Sequence, residues 1–577
     1  MTRIRSLSAA IAAVALVAVA CGGAAAPTAT PTARPAAPAA TAAPAGAAAA
    51  TPTRPVAPAV STPTPTRAAA ATQPPSSAGP IGKMTMASVA DITNLDVHVA
   101  SAGGLTYFYQ TTDVNAVLVT PLRTGGGAEP YLAESWSWDE KGLKIRYVIR
   151  KGAGFHNGKP VTAQDVVCTA DKIRAPYSAR GHNSGDARWV KTAAALDSRT
   201  VVFSMPEVYA LGWTALGLIA VQPCHEPYET MQRSPVGAGP YKVVEWRPFE
   251  SLTMEASPYW WDANKVQVKT IVRLVVPEPE SRLAMLKSGQ IDFMDEVQPR
   301  QAEELFKDKR FRVKSVDGGT AAVLHFSTDT KTIPGTDLPN PFLDVRVRRA
   351  FIMAVDRKAI FEGVALGKYG VYVPGPWTRT GAGGSMEDKI TPYPYDPKAA
   401  RKLLDEAKFP FEREWPFWVY RTTAGFAESA EVAVANWNAI GIKARMRITE
   451  VGTLMSYWQE KPSRTYPLQF IRAGTGAIGE PNSQVIADSR TPEGRLTQFH
   501  DDEILALNIR LRSAFEPAER EAIFREIYLV QHEKAIQIPL LGGVLIYAFN
   551  QRVDWEPVEG TQVATHLWRS KWLQGGP

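Results

Sequence analysis

The chain changes character near residue 80, and that change decides which part of it can fold. From Gly22 to about Gly79 it is almost entirely Ala, Pro and Thr, with Arg34, Arg54 and Arg67 as its only charges. Such a stretch has too little large apolar surface to offset the entropy of ordering. Its prolines favour extended backbone, at about 3.1 Å per residue. A folded core is therefore expected only in residues 81–577, too long for one domain at about 150 residues each. Hydrophobic residues at 45% and charged residues at 21% are ordinary for globular structure.

The segment before the spacer has its own logic. Arg3 and Arg5 precede an apolar run, Ala9 to Ala20, which ends at Cys21. The run is shorter than the roughly 20 residues a membrane-spanning helix needs. A basic start, a short apolar core and small residues before a cut describe an export signal. With cysteine directly after the cut, it resembles a bacterial lipoprotein signal, with Ala18 where leucine is usual. That resemblance implies a signal over residues 1–21, a lipidated Cys21 and a tether over 22–80. An ordinary secretory signal is the alternative. No later stretch approaches 18 uninterrupted apolar residues.

A formal charge of +7, from 64 basic and 57 acidic side chains, is spread without a long basic run. A nucleic-acid partner is not expected, because such proteins concentrate basic residues on one face. If Cys21 carries lipid, Cys168 and Cys224 remain as an even pair in an exported chain. They are either a disulfide or two buried thiols.

Patterning mixes strands and helices, so the class is α/β or α+β. Lys144–Arg150 (KIRYVIR) alternates as a half-buried strand. Gly154-Phe155-His156-Asn157-Gly158 is turn chemistry. Thr162 opens a helix with Asp165 as a shortened capping box, and Ala163, Val166, Val167, Ala170 and Ile173 form its apolar stripe. Helices are also expected over Asp344 to about Leu366, Asp396-Pro397 to Ala407, and Glu516-Pro517 to about Glu533. Strands are expected at Thr270–Val276, Gln290–Phe293, Val323–Ser327 and Ile442–Ile448.

Several segments, in this order, resemble the family 5 extracellular solute-binding proteins of ABC importers. They are Thr93-Asn94-Leu95-Asp96-Val97-His98, Leu132-Ala133-Glu134-Ser135-Trp136, and Phe155-His156-Asn157-Gly158-Lys159-Pro160. Gly237-Ala238-Gly239-Pro240-Tyr241-Lys242, Pro258-Tyr259-Trp260-Trp261 and Ser288-Gly289-Gln290-Ile291-Asp292 follow. Asp344-Val345-Arg346-Val347-Arg348-Arg349-Ala350, Tyr395-Asp396-Pro397 and Ile440-Gly441-Ile442-Lys443 extend the match toward the C-terminus. The resemblance implies an α/β fold of two lobes joined by a hinge, the periplasmic-binding-protein fold of type II with an extra subdomain. Lobe one is expected at 81–322 plus 536–577, with the subdomain at about 113–235, and lobe two at 323–535.

A ligand cleft needs aromatic walls and a few placed polar groups. Tyr107 and Tyr109, after a Gly-Gly turn, are candidates, as are Trp213 and the loop residue Trp377. Each has core packing as its alternative, and for Trp437 packing is the expectation. Peptide-binding relatives carry an acidic residue, in a pattern resembling GWxxDxxDP, that pairs with the peptide's ammonium group. This chain has Gly474, Thr475, Gly476 and Ala477 there, and its nearest carboxylate is Glu480. Either Glu480 substitutes, or the ligand has no free amine. Arg472 would favour an anionic or hydroxyl-rich ligand, with a strand-end surface role as its alternative. Gly474–Gly479 also fits the dinucleotide glycine pattern, but Glu480-Pro481 argues against the helix that pattern requires.

No nucleophile elbow, paired zinc-binding histidines or Cys-x-x-Cys occurs, so neither an enzyme nor a resident cofactor or metal is expected. The reading is an extracytoplasmic, lipid-anchored monomer that hands a solute, by default a peptide, to an ABC permease and its ATPase. A non-peptide solute (a sugar derivative, opine-like compound or metal chelate) is the second reading. An exported sensor or chaperone-like binder without a transport role is the third.

Overall fold

In the computed structural model the described residues are 80–89, 94–98, 113–121, 128–139, 142–174, 190–210, 212–326, 328, 331–333, 336–372, 390–420, 425–449, 468–474, 501–557 and 566–573. In chain order, β1 (Ile81–Ser88) is followed by β2 (Ala133–Trp138), β3 (Lys144–Ile149), α1 (Ala163–Arg174), β4 (Thr192–Ala195) and β5 (Thr200–Ser204). Next come β6 (Tyr241–Arg247), β7 (Ser251–Ala256), β8 (Val268–Val275), α2 (Pro279–Ser288), β9 (Phe293–Met294), α3 (Pro299–Phe306) and β10 (Phe311–Phe326). Then α4 (Val345–Met353), α5 (Arg357–Gly363), β11 (Gly370–Val371), α6 (Pro397–Glu406), β12 (Glu414–Tyr420), α7 (Phe426–Ala439) and β13 (Lys443–Thr449). The last are β14 (Leu468–Gly474), α8 (Asp502–Ser513), α9 (Pro517–Glu533) and β15 (Gln537–Asn550).

One large sheet has the order β6-β7-β8-β1-β9-β15-β10-β14-β12-β13, with β11 also pairing β15. A separate antiparallel sheet has the order β2-β3-β5-β4. Its β3 buries Ile145, Tyr147 and Ile149 and exposes Lys144 and Arg146, as the alternation predicts. The apolar cores divide along the two long strands. Val316 and Leu545 belong to the core that holds Met84, Tyr147 and Phe293. Ala322, Leu324, Leu540 and Leu541 belong to the core that holds Phe351, Trp415 and Trp437. Trp437 is packing, with its indole N–H donating to Phe351 O at 3.0 Å.

The strand expected at 323–327 falls at the end of the longer β10, and two further expectations need correction. The helix expected from Asp344 to Leu366 is two helices, α4 and α5. Asp356 takes the Ala359 N–H on its side chain and so starts a new helix inside the apolar pattern. The strand expected at 290–293 shrinks to β9, because Gly289 closes α2 in the left-handed region (φ 76). Gln290 N–H then returns to Met285 O instead of joining a ladder.

The small sheet is pinned by polar contacts among the sequence blocks. The Thr162 N–H and hydroxyl both donate to Asp165 Oδ2, at 2.9 and 2.6 Å. The other Asp165 oxygen accepts the Cys224 N–H at 3.0 Å, which brings Cys224 beside α1. Cys168 and Cys224 form a disulfide, with Cα atoms 5.6 Å apart. Lys172 Nζ lies 2.8 Å from Asp96 Oδ2 and donates to Gln222 Oε1 at 2.5 Å. Burial would raise the Asp96 carboxyl, but His98 and Lys172 outweigh it and hold it below its ordinary value.

The Gly237–Tyr241 block packs backbone against backbone. Gly239 N–H donates to Val114 O at 3.0 Å, and His156 N–H donates to Gly237 O at 2.8 Å. The His156 ring uses both nitrogens: Nδ1 accepts the Gly237 N–H at 3.2 Å and Nε2 donates to Gly239 O at 3.0 Å. That pairing requires a neutral ring, and burial pushes its pKa down to about 4.

Two outcomes follow for stability. A Cβ at Gly237 would meet Val114 O at 1.9 Å, so Gly237→Ala should cost roughly 3 kcal/mol in denaturant unfolding. Gly152→Ala, left-handed but with nothing within 4 Å, should cost only about 1 kcal/mol. For His156 the unfolded chain binds a proton that the folded chain refuses between pH 6.5 and about 4. Its contribution is thus present above pH 6.5 and lost on acidification, by about 3 kcal/mol at most. Unfolding midpoints of wild type and His156→Gln, compared from pH 7 to 4.5, should converge as pH falls. A constant gap would refute the assignment.

Candidate ligand-binding site

The register of the large sheet brings two sets of parallel strands to one place. β1, β8 and β9 are parallel, and β9 pairs antiparallel with β15 through Phe293 opposite Phe549 and Met294 opposite Ala548. The carboxyl end of β9 therefore advances along β15 toward Gly543, and Val297 N–H reaches Ile546 O at 3.1 Å. β12, β13 and β14 are parallel to one another, and β14 is antiparallel to β10. β14 descends from Leu468 opposite Phe326 to Gly474 opposite Thr320, and Thr320 itself faces Gly543. The two sets of carboxyl ends thus approach the middle of β10 and β15 from opposite sides. In α/β sheets, ligands bind in crevices beyond such ends.

The ladder is irregular at that place. Register shifts fall between Asp317 and Thr320, leaving Gly318 and Gly319 outside it, and again between Ala322 and Val323. Gly370 and Val371 of β11 pair with Gly543 and Gly542. Bulges with adjacent glycines let crossing strands absorb backbone rotation.

On the first rim, Ser88 at the end of β1 donates to Asp295 Oδ2 at 2.9 Å and accepts from Arg273 Nε at 2.9 Å. All three are at most 2% exposed. Arg282 donates to Val276 O and Pro277 O, both at 2.8 Å, fixing the loop after β8. Burial lowers its guanidinium pKa, against the opposing pull of Asp295, Glu296 and Glu278. Asp292 accepts from Thr85 N–H and Asn550 Nδ2, each at 2.8 Å. These groups brace the rim from beneath. The second rim comprises Tyr420, Thr449 and Gly474, at the ends of β12, β13 and β14.

Of the residues singled out from sequence, Gly474 ends β14 at the junction, and Arg472 lies two positions earlier, opposite Ala322. Trp213 is 9% exposed in the first core and stacks on Trp136 with ring centroids 5.9 Å apart. Its carbonyl accepts the Tyr147 hydroxyl, so its place is packing within the small-sheet unit. Cys21, Tyr107, Tyr109, Trp377, Gly476 and Glu480 lie outside the described residues. Sequence reasoning missed Ser88, Arg273 and Asp295. The available signal was a parallel strand ending at Ser88, visible only once 81–88 is read as a strand. Among the described residues, no group of three or more His, Cys, Asp or Glu is placed to hold a metal ion. No described helix is long and apolar enough to cross a membrane.

Comparison with known proteins agrees with this geometry. The profile described as bacterial extracellular solute-binding proteins, family 5 Middle, matches residues 127–492. Heme-binding protein A of Haemophilus influenzae is 25% identical over 487 residues, 78% of this chain and 85% of that protein. The oligopeptide-binding protein AppA of Bacillus subtilis, solved with a nonapeptide, superposes with a TM-score of 0.74 at 18% identity, covering 85% of this chain and 99% of that one. AgaA from A. tumefaciens R10, solved with agropinic acid, gives 0.72 at 20% identity, with the same coverage of each chain. The two-lobed mixed α/β architecture is shared, and the matched residues include Arg273 and Asp295 of the first rim and the strands that end at Tyr420, Thr449 and Gly474 on the second. The chain belongs to the bacterial extracellular solute-binding proteins of family 5.

Proposed function

We propose that the protein captures a small organic solute between its lobes, outside the cytoplasmic membrane, and delivers it to an ABC importer. The observation that carries this reading is the convergence of two opposed sets of strand ends on a glycine-bulged crossing. A solute touching both rims contacts them together only when the lobes close, so binding shifts the population toward the closed state. Closure then presents a permease with a surface that the open form lacks. The chain itself performs no chemistry in this scheme.

A peptide is the default ligand, as in the AppA complex. The second reading is a non-peptide solute, supported by the absence of an acidic residue at Gly474–Ala477. In that case no carboxylate waits for an α-ammonium group, and AgaA with agropinic acid shows the architecture serving such a ligand. Cys21 is the proposed lipid attachment point, and the spacer would reach roughly 180 Å at full extension. A tethered receptor stays near its permease.

A thermal-shift screen of the purified protein against peptides, oligosaccharides, opine-like acids and metal chelates tests the ligand class. Di- to pentapeptides should raise the melting temperature, and Glu480→Ala should abolish the effect if Glu480 holds the ammonium group. Shifts with uncharged or acidic solutes alone would favour the second reading. Fatty-acid labelling of wild type should disappear in Cys21→Ser, and unchanged labelling would rule out the anchor.

A further inference from the structure

The lobes also meet away from the crossing strands. Helices α8 and α9 share an apolar cluster that includes Ile504, Leu507, Phe524 and Ile527. Their far end is fastened to the second lobe. Arg348 of α4 donates to Lys534 O from Nε and Nη2, at 3.0 and 2.7 Å, and Tyr393 donates to His532 O at 2.7 Å. Their other end, the turn after Ser513, touches the small sheet of the first lobe.

That contact is small and well defined. Ala210 N–H donates to Arg512 O at 2.6 Å. Arg512 Nη1 lies 3.5 Å from Glu207 Oε1. The Phe515 ring meets Trp138 of β2 edge-on, with centroids 5.2 Å apart and planes at 87°. Phe515 also covers Gly142, where a Cβ would come within 2.7 Å of the ring, so only glycine leaves it room. Arg520 Nη1 donates to Phe515 O at 3.3 Å and holds the turn in place.

We infer that this turn is a clasp that holds the two lobes closed in the absence of ligand. The inference rests on hinge closure as the mode of capture. The chain crosses between the lobes at β10 and at β15, and β11 adds a strand pairing with β15. A rotation about those strands must separate other surfaces that bridge the lobes. Among the described residues, a backbone hydrogen bond, an ion pair with the exposed Glu207 carboxylate and an aromatic edge contact are each weak enough to break in thermal equilibrium. They are strong enough to bias it. An aromatic side chain that stays partly exposed while seated on a glycine suits a contact made and unmade repeatedly. The clasp therefore sets the fraction of protein already competent to hold ligand, and with it the apparent affinity.

The test uses the full chain carrying Cys21→Ser, with spin labels at Leu196→Cys, beside β4, and Lys402→Cys, on α6. Electron–electron distances are measured without ligand. The combined variant Phe515→Ala and Glu207→Ala should raise the ratio of the longer to the shorter distance population about tenfold. Should that variant lose cooperative melting, Phe515→Leu with Glu207→Gln is the stand-in, expected to shift the ratio in the same direction. If two populations exist in wild type and their ratio ignores these variants, the clasp is wrong and hinge closure stands. If wild type and variants all show one unchanging distance, even with a mixture of peptides, oligosaccharides, opine-like acids and metal chelates, hinge closure fails and the clasp with it.

Discussion

The pairing of β10 with β15 runs from Phe311 opposite Asn550 to His325 opposite Gln537, and both large cores are built on it. Each strand contributes side chains to the first core near one end and to the second core near the other. Neither lobe owns its own sheet edge there. Removing one lobe would expose a long unpaired strand, which natural proteins avoid because such edges recruit other chains. The lobes are therefore separate in packing but linked in stability. The positions where the ladder slips lie where the two cores meet.

That arrangement explains why parts of the sequence were readable and others were not. Local signals survived well: the Thr162–Asp165 pair, the prolines at positions 397 and 517, and the alternation of β3 all mark elements of the structure. Each depends on contacts within a few residues. What failed was non-local. β10 begins at Phe311, well before the expected start at Val323, because its first half is defined by β15, more than 200 residues away in sequence. Asp356 looked like a polar interruption on a long helix, and only its captured N–H shows a second helix beginning.

The candidate site divides in the same way. Gly474 was legible because glycine-rich sequence after an apolar strand is a local pattern, and it lies where β14 meets the crossing strands. Trp213 carries an equally suggestive side chain, yet its surroundings are Trp136 and Tyr147, brought together by the small sheet. Aromatic type alone does not distinguish wall from core. Ser88 and Arg273 come from two strands and Asp295 from the residue after a third, and two hydrogen bonds join them. No spacing rule links positions so far apart in the chain. The blocks that carry the family resemblance are largely frame: His156, Gly237 and Asp292 hold neighbouring segments in place. The fold can therefore persist at about 20% identity while the ligand changes from a nonapeptide to agropinic acid among its relatives.

The bridge between Cys168 and Cys224 has a bearing on the order of events in the life of the chain. It spans 56 residues and ties α1 to the strand-to-loop junction beyond the small sheet. In the chain-entropy account, such a loop contributes about 4 kcal/mol once closed. Thiols stay reduced in a cytosol and pair only in an oxidising compartment. In a reducing compartment the small sheet lacks this bridge, and it is fully secured only where the two thiols can pair.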